Sequence, residues 1–396
     1  MVCHWSRMRP VVSISGKSSV GFPEWFSSEK LWIMAFLGTT AFAGSALAQD
    51  EGMRLIERAE GRAWLYPAQV EALSRQSHRD GHCGGFFDVT YRLPVRRRRH
   101  LVEDFARRDP AQMQIVDPLL AQLSSRNLYK TVEALSALHD RHYQSDGGVA
   151  AAALIHARFA SYASGRSDVS VSYFDHDFRQ PSVIARIEGR GEAAKRKVVL
   201  GAHMDSINWS SSLSEVGRAP GADDDASGIA TLLEVFRVLT ASGYRPAKTL
   251  EFIAYAGEEL GLLGSQDISD AYAEAQQQVV AVLQMDMVMY PSPERQLAFV
   301  VDNTNRQLTS FAQRLVRHYL KVDSVQTSCG YACSDHASWD RNGFATVFPF
   351  EASFETMNPR IHTEDDVLDH HLDAEHALLF AKLNTAFAVE LTANSK

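Results

Sequence analysis

Several things are scarce in this chain, and each scarcity narrows its chemistry. Cysteine occurs four times in 396 residues, at positions 3, 83, 329 and 333, so neither a dense disulfide scaffold nor a thiolate metal cluster is available. No apolar run is long enough to span a bilayer; the best, residues 31–43, is short and broken by Gly38, Thr39 and Thr40. There is no internal repeat, no long low-complexity tract and no Gly-x-Ser-x-Gly nucleophile elbow. Basic charge is also short where most of the chain lies: residues 110–396 carry 24 basic and 36 acidic side chains. That balance argues against nucleic acid as the main partner; it fits a carboxylate-rich metal site or a surface kept soluble by charge.

The N-terminus reads as an export signal. Lys30 precedes the apolar run, and Ala46-Leu47-Ala48 forms an A-x-A cleavage pattern before Gln49. The expected location is secreted or periplasmic, with cleavage after Ala48 and no membrane insertion afterwards. The thirty residues ahead of the run are long for such a signal, and a start at Met8 or beyond would account for them. Residues 49–109, with 12 basic and 10 acidic side chains, form a second section. Its four consecutive arginines, 96–99, read either as a processing site that makes 49–109 a prosegment or as a solvated loop or helix turn. Export favours a disulfide between Cys329 and Cys333 over metal binding, and leaves Cys83 unpartnered.

Residues 110–396 hold enough apolar side chains for one large core. Buried-looking strands at 198–200, 249–255, 279–283, 297–301 and 346–348 alternate with helical patterns at 227–239, 308–320 and 373–392. The predicted fold is α/β, a mixed, mainly parallel sheet between helices, preceded by a short N-terminal presegment.

The chemistry lies just past those strands. His203, Glu258, Glu259 and Asp286 each come after a strand end, the edge at which open α/β sheets collect ligands. With Asp224 from Asp223-Asp224-Asp225 and His362 from Pro-Arg-Ile-His-Thr, the set is two imidazoles and three carboxylates, which suits zinc, plus one further acid. Three adjacent acids repel one another unless a cation holds at least one, although they also suit the start of the following helix. Glu258, beside a ligand but free of it, is the candidate general base. Asp205, two residues after His203, is placed to orient that imidazole.

Four motifs carry a family resemblance: Ala-Pro-Gly-Ala-Asp-Asp-Asp-Ala-Ser-Gly at 219–228, Glu-Glu-Leu-Gly-Leu-Leu-Gly-Ser at 258–265, Cys-Gly-Tyr-Ala-Cys-Ser-Asp-His-Ala-Ser-Trp at 329–339, and Asn-Pro-Arg-Ile-His-Thr at 358–363. Over about residues 125–396 the chain resembles the M28 zinc peptidases, in particular the secreted bacterial leucyl aminopeptidases of Vibrio and Aeromonas. The resemblance implies the zinc exopeptidase fold and two zinc ions, one on His203, Asp224 and Asp286, the other on Asp224, Glu259 and His362. It implies a cis peptide between Asp224 and Asp225, and a catalytic set of Glu258, Asp205 and Tyr331. Met287, Val300, Cys329, Tyr331, Cys333, Phe350 and Phe354 would line a pocket for a Leu-like first residue. Peptides with a free N-terminus are the expected substrates and a monomer the expected state. Ser334-Asp335-His336 holds the residue types of a serine hydrolase, but neighbours in sequence cannot form that triad. A single-zinc glutaminyl cyclase, a receptor-like module that has lost its ligands, and a carboxypeptidase of related fold are the rivals. The complete ligand set and base argue against the first two.

Overall fold

The computed structural model describes residues 52–58, 60–79, 85–90, 103–211, 217–293 and 295–393. The export signal, Cys83 and the four arginines lie outside these. Gly52 to Lys396 form one compact unit.

The first elements are β1 (Arg54–Arg58), β2 (Gly61–Leu65), α1 (Pro67–Arg79) and β3 (Phe87–Asp88). Three helices come next: α2 (Met113–Leu120), α3 (Ser125–Ser136) and α4 (Asp146–Ala163). After them are β4 (Val169–Phe174), β5 (Ser182–Ile187), β6 (Arg196–His203), α5 (Ala226–Ala241), β7 (Thr249–Tyr255), α6 (Leu263–Glu274) and β8 (Gln278–Gln284). The chain then forms β9 (Leu297–Val300), α7 (Arg306–Leu315), β10 (Ser324–Thr327), α8 (His336–Arg341), β11 (Thr346–Phe350) and α9 (Ala374–Thr392). A π turn, Val316–Leu320, prolongs α7, so the helical pattern read to residue 320 holds with a changed winding.

Eight strands make one sheet in the order β10-β9-β11-β8-β6-β7-β5-β4. The centre is parallel (β11·β8, β8·β6, β6·β7), as is β10·β9, whereas β9·β11, β7·β5 and β5·β4 run antiparallel. The central strands read as unbroken apolar runs because both faces are covered. Along β7, Leu250, Phe252 and Ala254 enter a large core with α3, α4, α5 and α9, while Ile253 and Tyr255 enter a smaller one with α6 and α8. Phe252, fully buried, meets Phe236 of α5 edge to face at 5.1 Å.

This architecture sets the site. The three adjacent central strands β8, β6 and β7 end together at Gln284, His203 and Tyr255, so the loops leaving them all start from one edge of the sheet. Gly257, at φ +66°, supplies the left-handed residue that turns the chain after β7 towards Glu258. Residues 52–58, 60–79 and 85–90 pack on the same edge as a small antiparallel sheet, β2-β1-β3, with α1. Arg75 donates to Ser211 O at 2.8 Å, Glu57 pairs with Arg341 at 3.0 Å, and Phe86 sits against Gly261.

Candidate metal centre

His203 closes β6, its Nδ1 3.5 Å from Asp205 Oδ1. Asp205 does more than orient that ring: its two oxygens accept the backbone N–H groups of Glu258 and Glu259 at 3.0 and 3.1 Å. One carboxylate thus links the ends of β6 and β7.

The three consecutive acids have three different jobs. Asp225 is the N-cap of α5, accepting from Gly228 N at 2.8 Å, and it also accepts from His203 N and Met287 N, both at 3.2 Å. Asp223 accepts from Met289 N and Asn358 Nδ2, both at 3.0 Å. Asp224 faces the other way. Its Oδ1 lies 3.0 Å from His203 Nε2, and its Oδ2 lies 2.8 Å from His362 Nε2. Glu259 Oε2 is 3.0 Å from the same His362 nitrogen, and Asp286 Oδ1 is 3.5 Å from His203 Nε2. The peptide between Asp224 and Asp225 is cis, as the resemblance implies.

The five residues therefore converge as two adjoining groups, with the two oxygens of Asp224 divided between them. Asp225 falls within ligand distance of His203 and Asp286, yet both its oxygens are already engaged by backbone N–H groups. Asp224 is the acid with capacity left. Glu258 belongs to neither group and stands beside both, 5% exposed.

The donor set fits divalent cations. Asp224 Oδ2, Glu259 Oε1 and Asp286 Oδ1 are buried without a hydrogen-bond partner, a costly state that ligation relieves. Burial drives the Glu258 carboxyl well above its usual range, opposed by His203 and reinforced by Asp335, Asp286 and Glu259. Burial likewise lifts Glu259 to about 7, against the pull of His362. Burial acts on Asp224 too, but His362 and His203 overcome it and hold that carboxyl below the usual range. So many buried acids call for cationic charge among them.

Beside this centre Met287, Val300, Cys329, Cys333 and Phe350 form one buried apolar cluster, with Tyr331 and Phe354 packed against it. All seven expected pocket residues come together. Ala298, Phe348, Met357 and Ile361 join them, residues that were not expected in the pocket. Cys329 and Cys333 are disulfide-bonded, their Cα atoms 6.4 Å apart. Met287 and His362 both adopt φ +56°, left-handed conformations that cost energy in non-glycine residues and cluster at functional sites.

Other residues of the centre were not among the expected site residues. Asp366 accepts from the backbone N–H groups of Asp223 and Asp224, both at 3.1 Å, and so shapes the acid run from a distant loop. Ser334 hydrogen-bonds Asp286, and the Gln284 amide donates to Ser334 Oγ at 3.2 Å and Asp335 Oδ2 at 3.1 Å. Ser334 and Asp335 thus support the site as parts of this network, not as a serine triad. A further acid–histidine group, Asp369, His370 and His371, already engages Arg360, at 3.0 Å from both Asp369 and His371.

A mixed α/β sheet with paired His–carboxylate groups and a nearby free acid at its strand-end edge defines a metal-dependent hydrolase. The chain belongs to peptidase family M28, whose pattern matches residues 182–388. A probable leucine aminopeptidase of Trichophyton verrucosum is 40% identical over 288 residues, 71% of this chain and 77% of that protein. The crystal structure of the Legionella pneumophila LapA aminopeptidase superposes with TM-score 0.75 at 31% identity, covering 85% of this chain and 92% of that one. A zinc aminopeptidase of Bacillus subtilis, 17% identical, shares the fold at TM-score 0.57 over 69% of this chain and 96% of that one. The protein is accordingly an aminopeptidase acting on peptides. Among the described residues no helix is long and apolar enough to cross a membrane.

Proposed function

We propose that the centre holds two zinc ions, one on His203, Asp224 and Asp286 and the other on Asp224, Glu259 and His362. The observation that carries this reading is the division of Asp224, with one oxygen towards each histidine. When bound, such ions lower the pKa of a water and stabilise developing negative charge on the scissile carbonyl. Glu258 takes the proton of the attacking water and delivers it to the leaving amine. Tyr331 places its hydroxyl towards the carbonyl oxygen. Asp205 keeps Glu258 and Glu259 in register through their backbone N–H groups.

The first side chain of the peptide occupies the cluster of Met287, Val300, Cys329, Tyr331, Cys333, Phe350 and Phe354. Apart from the tyrosine hydroxyl this lining is apolar, so Leu-like residues fit and charged ones are penalised by desolvation. All these groups come from one chain, which supports a monomer as the working unit. The test compares leucine p-nitroanilide with its N-acetylated form and with the lysine and glutamate p-nitroanilides. Leucine with a free amine should be strongly preferred; cleavage of the acetylated substrate at a similar rate would contradict the exopeptidase reading.

We also propose that the protein is exported and that residues 49–109 restrain it until cleavage at arginines 96–99. The restraint is supported by the packing of residues 52–58, 60–79 and 85–90 on the strand-end edge. A cavity of about 590 Å³ lies at the seam, bounded by Glu57, Glu60 and Phe86 on one side and Asp302, Asn303 and Tyr331 on the other. A variant of residues 49–396 with the four arginines changed to serine should stay slow after trypsin treatment that activates the wild type. Equal activity of the two would remove the inhibitory role. A Cys83→Ser variant as slow as uncleaved wild type would exclude a thiolate ligand in that restraint.

A further inference from the structure

A fully buried arginine beneath the metal centre belongs to none of the sequence motifs. Arg141 lies in the turn between α3 and α4 and is 0% exposed. A buried guanidinium ordinarily takes a carboxylate partner. Among the described residues no carboxylate oxygen lies within ion-pair distance of Arg141, which directs its donors to carbonyls: Nε to Met204 O and Nη2 to Gly221 O, both at 2.8 Å, and Nη1 to Pro220 O.

Those carbonyls belong to two separate stretches of chain. Met204 is the residue after His203, while Pro220 and Gly221 stand just before Asp224. The same turn reinforces the tie through its backbone. Arg141 N donates to Ser206 Oγ at 3.1 Å, Ser206 Oγ donates to Ala219 O at 2.7 Å, and Ala219 N donates to His139 O at 2.9 Å. There is no slack at the junction. Gly221 sits at φ +49°, and a Cβ there would stand 2.7 Å from Arg141 Nη2 and 2.6 Å from Ser206 Cβ.

Burial lowers the Arg141 pKa, while Asp366, Asp205, Asp225 and Asp224 push it back up. The surrounding carboxylates thus compensate a charge whose hydrogen bonds are made elsewhere.

We infer that Arg141 is a positioning residue for the metal centre, tying the segment that carries His203 to the segment that carries Asp224 and so fixing the spacing of these two ligands. The inference rests on the metal-centre reading above. It also makes a prediction of definite sign. As a mere positive charge, Arg141 would repel dications, and its loss would tighten zinc binding. As a tie it preorganises the ligands, and its loss weakens zinc binding.

The test is chelator competition for zinc on folded, metal-stripped protein, comparing wild type with Arg141→Met, Arg141→Lys and Arg166→Ala. Arg166 binds Asp168, Thr240 O and Tyr244 O near the far end of α5, roughly 20 Å along that helix from Asp225. It controls for lost stability alone. Zinc binding should weaken by about 10–100-fold in Arg141→Met, the range for supporting partners of metal ligands, and by less in Arg141→Lys. Arg166→Ala should lower the melting temperature with zinc affinity within about twofold of wild type. Unchanged or tighter zinc in Arg141→Met overturns the inference, as does a loss no greater than in Arg166→Ala. If Arg141→Met does not unfold cooperatively, the Lys variant decides, and wild-type zinc affinity there overturns the tie. A wild type that binds no zinc would instead overturn the underlying metal-centre reading.

Discussion

Glu258→Ala should lower the turnover of leucine p-nitroanilide by about 10²–10⁴-fold, or roughly 3–5 kcal/mol of barrier, while the fold and bound zinc stay as in wild type. Glu258 is buried beside both ligand groups without belonging to either. Its backbone is fixed by Asp205 at 3.0 Å, so the side chain can be cut back without releasing the turn. Burial holds its carboxyl well above the ordinary range even against the pull of His203, as suits a group that must accept a proton and return it. Glu258→Gln keeps the volume and loses the proton transfer, so it should fall as far as the alanine variant. Turnover within a few-fold of wild type in either variant would remove Glu258 as the base. Loss of zinc along with activity would mean that it acts through the ligands.

The second large effect belongs to Asp224. Asp224→Asn should lower turnover by at least about 10³-fold, near 4 kcal/mol, and should also remove most of the stabilisation that zinc confers. In the native chain a zinc concentration of 100 to 1,000 times Kd adds about 3–4 kcal/mol to the folded state. The variant deprives His203 and His362 of their common partner at 3.0 and 2.8 Å, so neither group keeps its full set. Thermal unfolding with and without zinc, beside the turnover assay, checks both parts. An undiminished zinc-dependent rise in melting temperature would assign the shared role to another acid. Asp225 is the obvious rival, yet its oxygens are held by Gly228, Met287 and His203 N–H groups.

The convergence of these histidines and acids was legible in the sequence and, Asp205 apart, the residues that support them were not, because the two kinds of residue are specified differently. His203, Glu258, Glu259 and Asp286 lie at the ends of β6, β7 and β8, whose apolar runs are conspicuous because both faces are buried, so strand ends and ligands could be read together. The edge strands are quieter. In β4 exposed and half-buried residues alternate without a fully buried one, and β10 is four residues long; neither stands out as a run. The acid triplet announced a metal or a helix cap; the cap is Asp225, and Asp224 is the acid left for the proposed metals. Only the fold shows that Asp225 caps while Asp224 turns towards the histidines. Asp366 and Arg141 gave no signal, since each acts through backbone groups brought close by tertiary packing, and such contacts impose no spacing on the sequence.

A shared two-zinc centre is the central claim, and the zinc dependence of turnover tests it most directly. Metal-stripped protein, titrated with zinc while leucine p-nitroanilide hydrolysis and bound metal are both monitored, should bind two ions per chain and reach full turnover only as the second is taken up. Saturation of both signals at one equivalent, or turnover that persists in the metal-free protein, would contradict it.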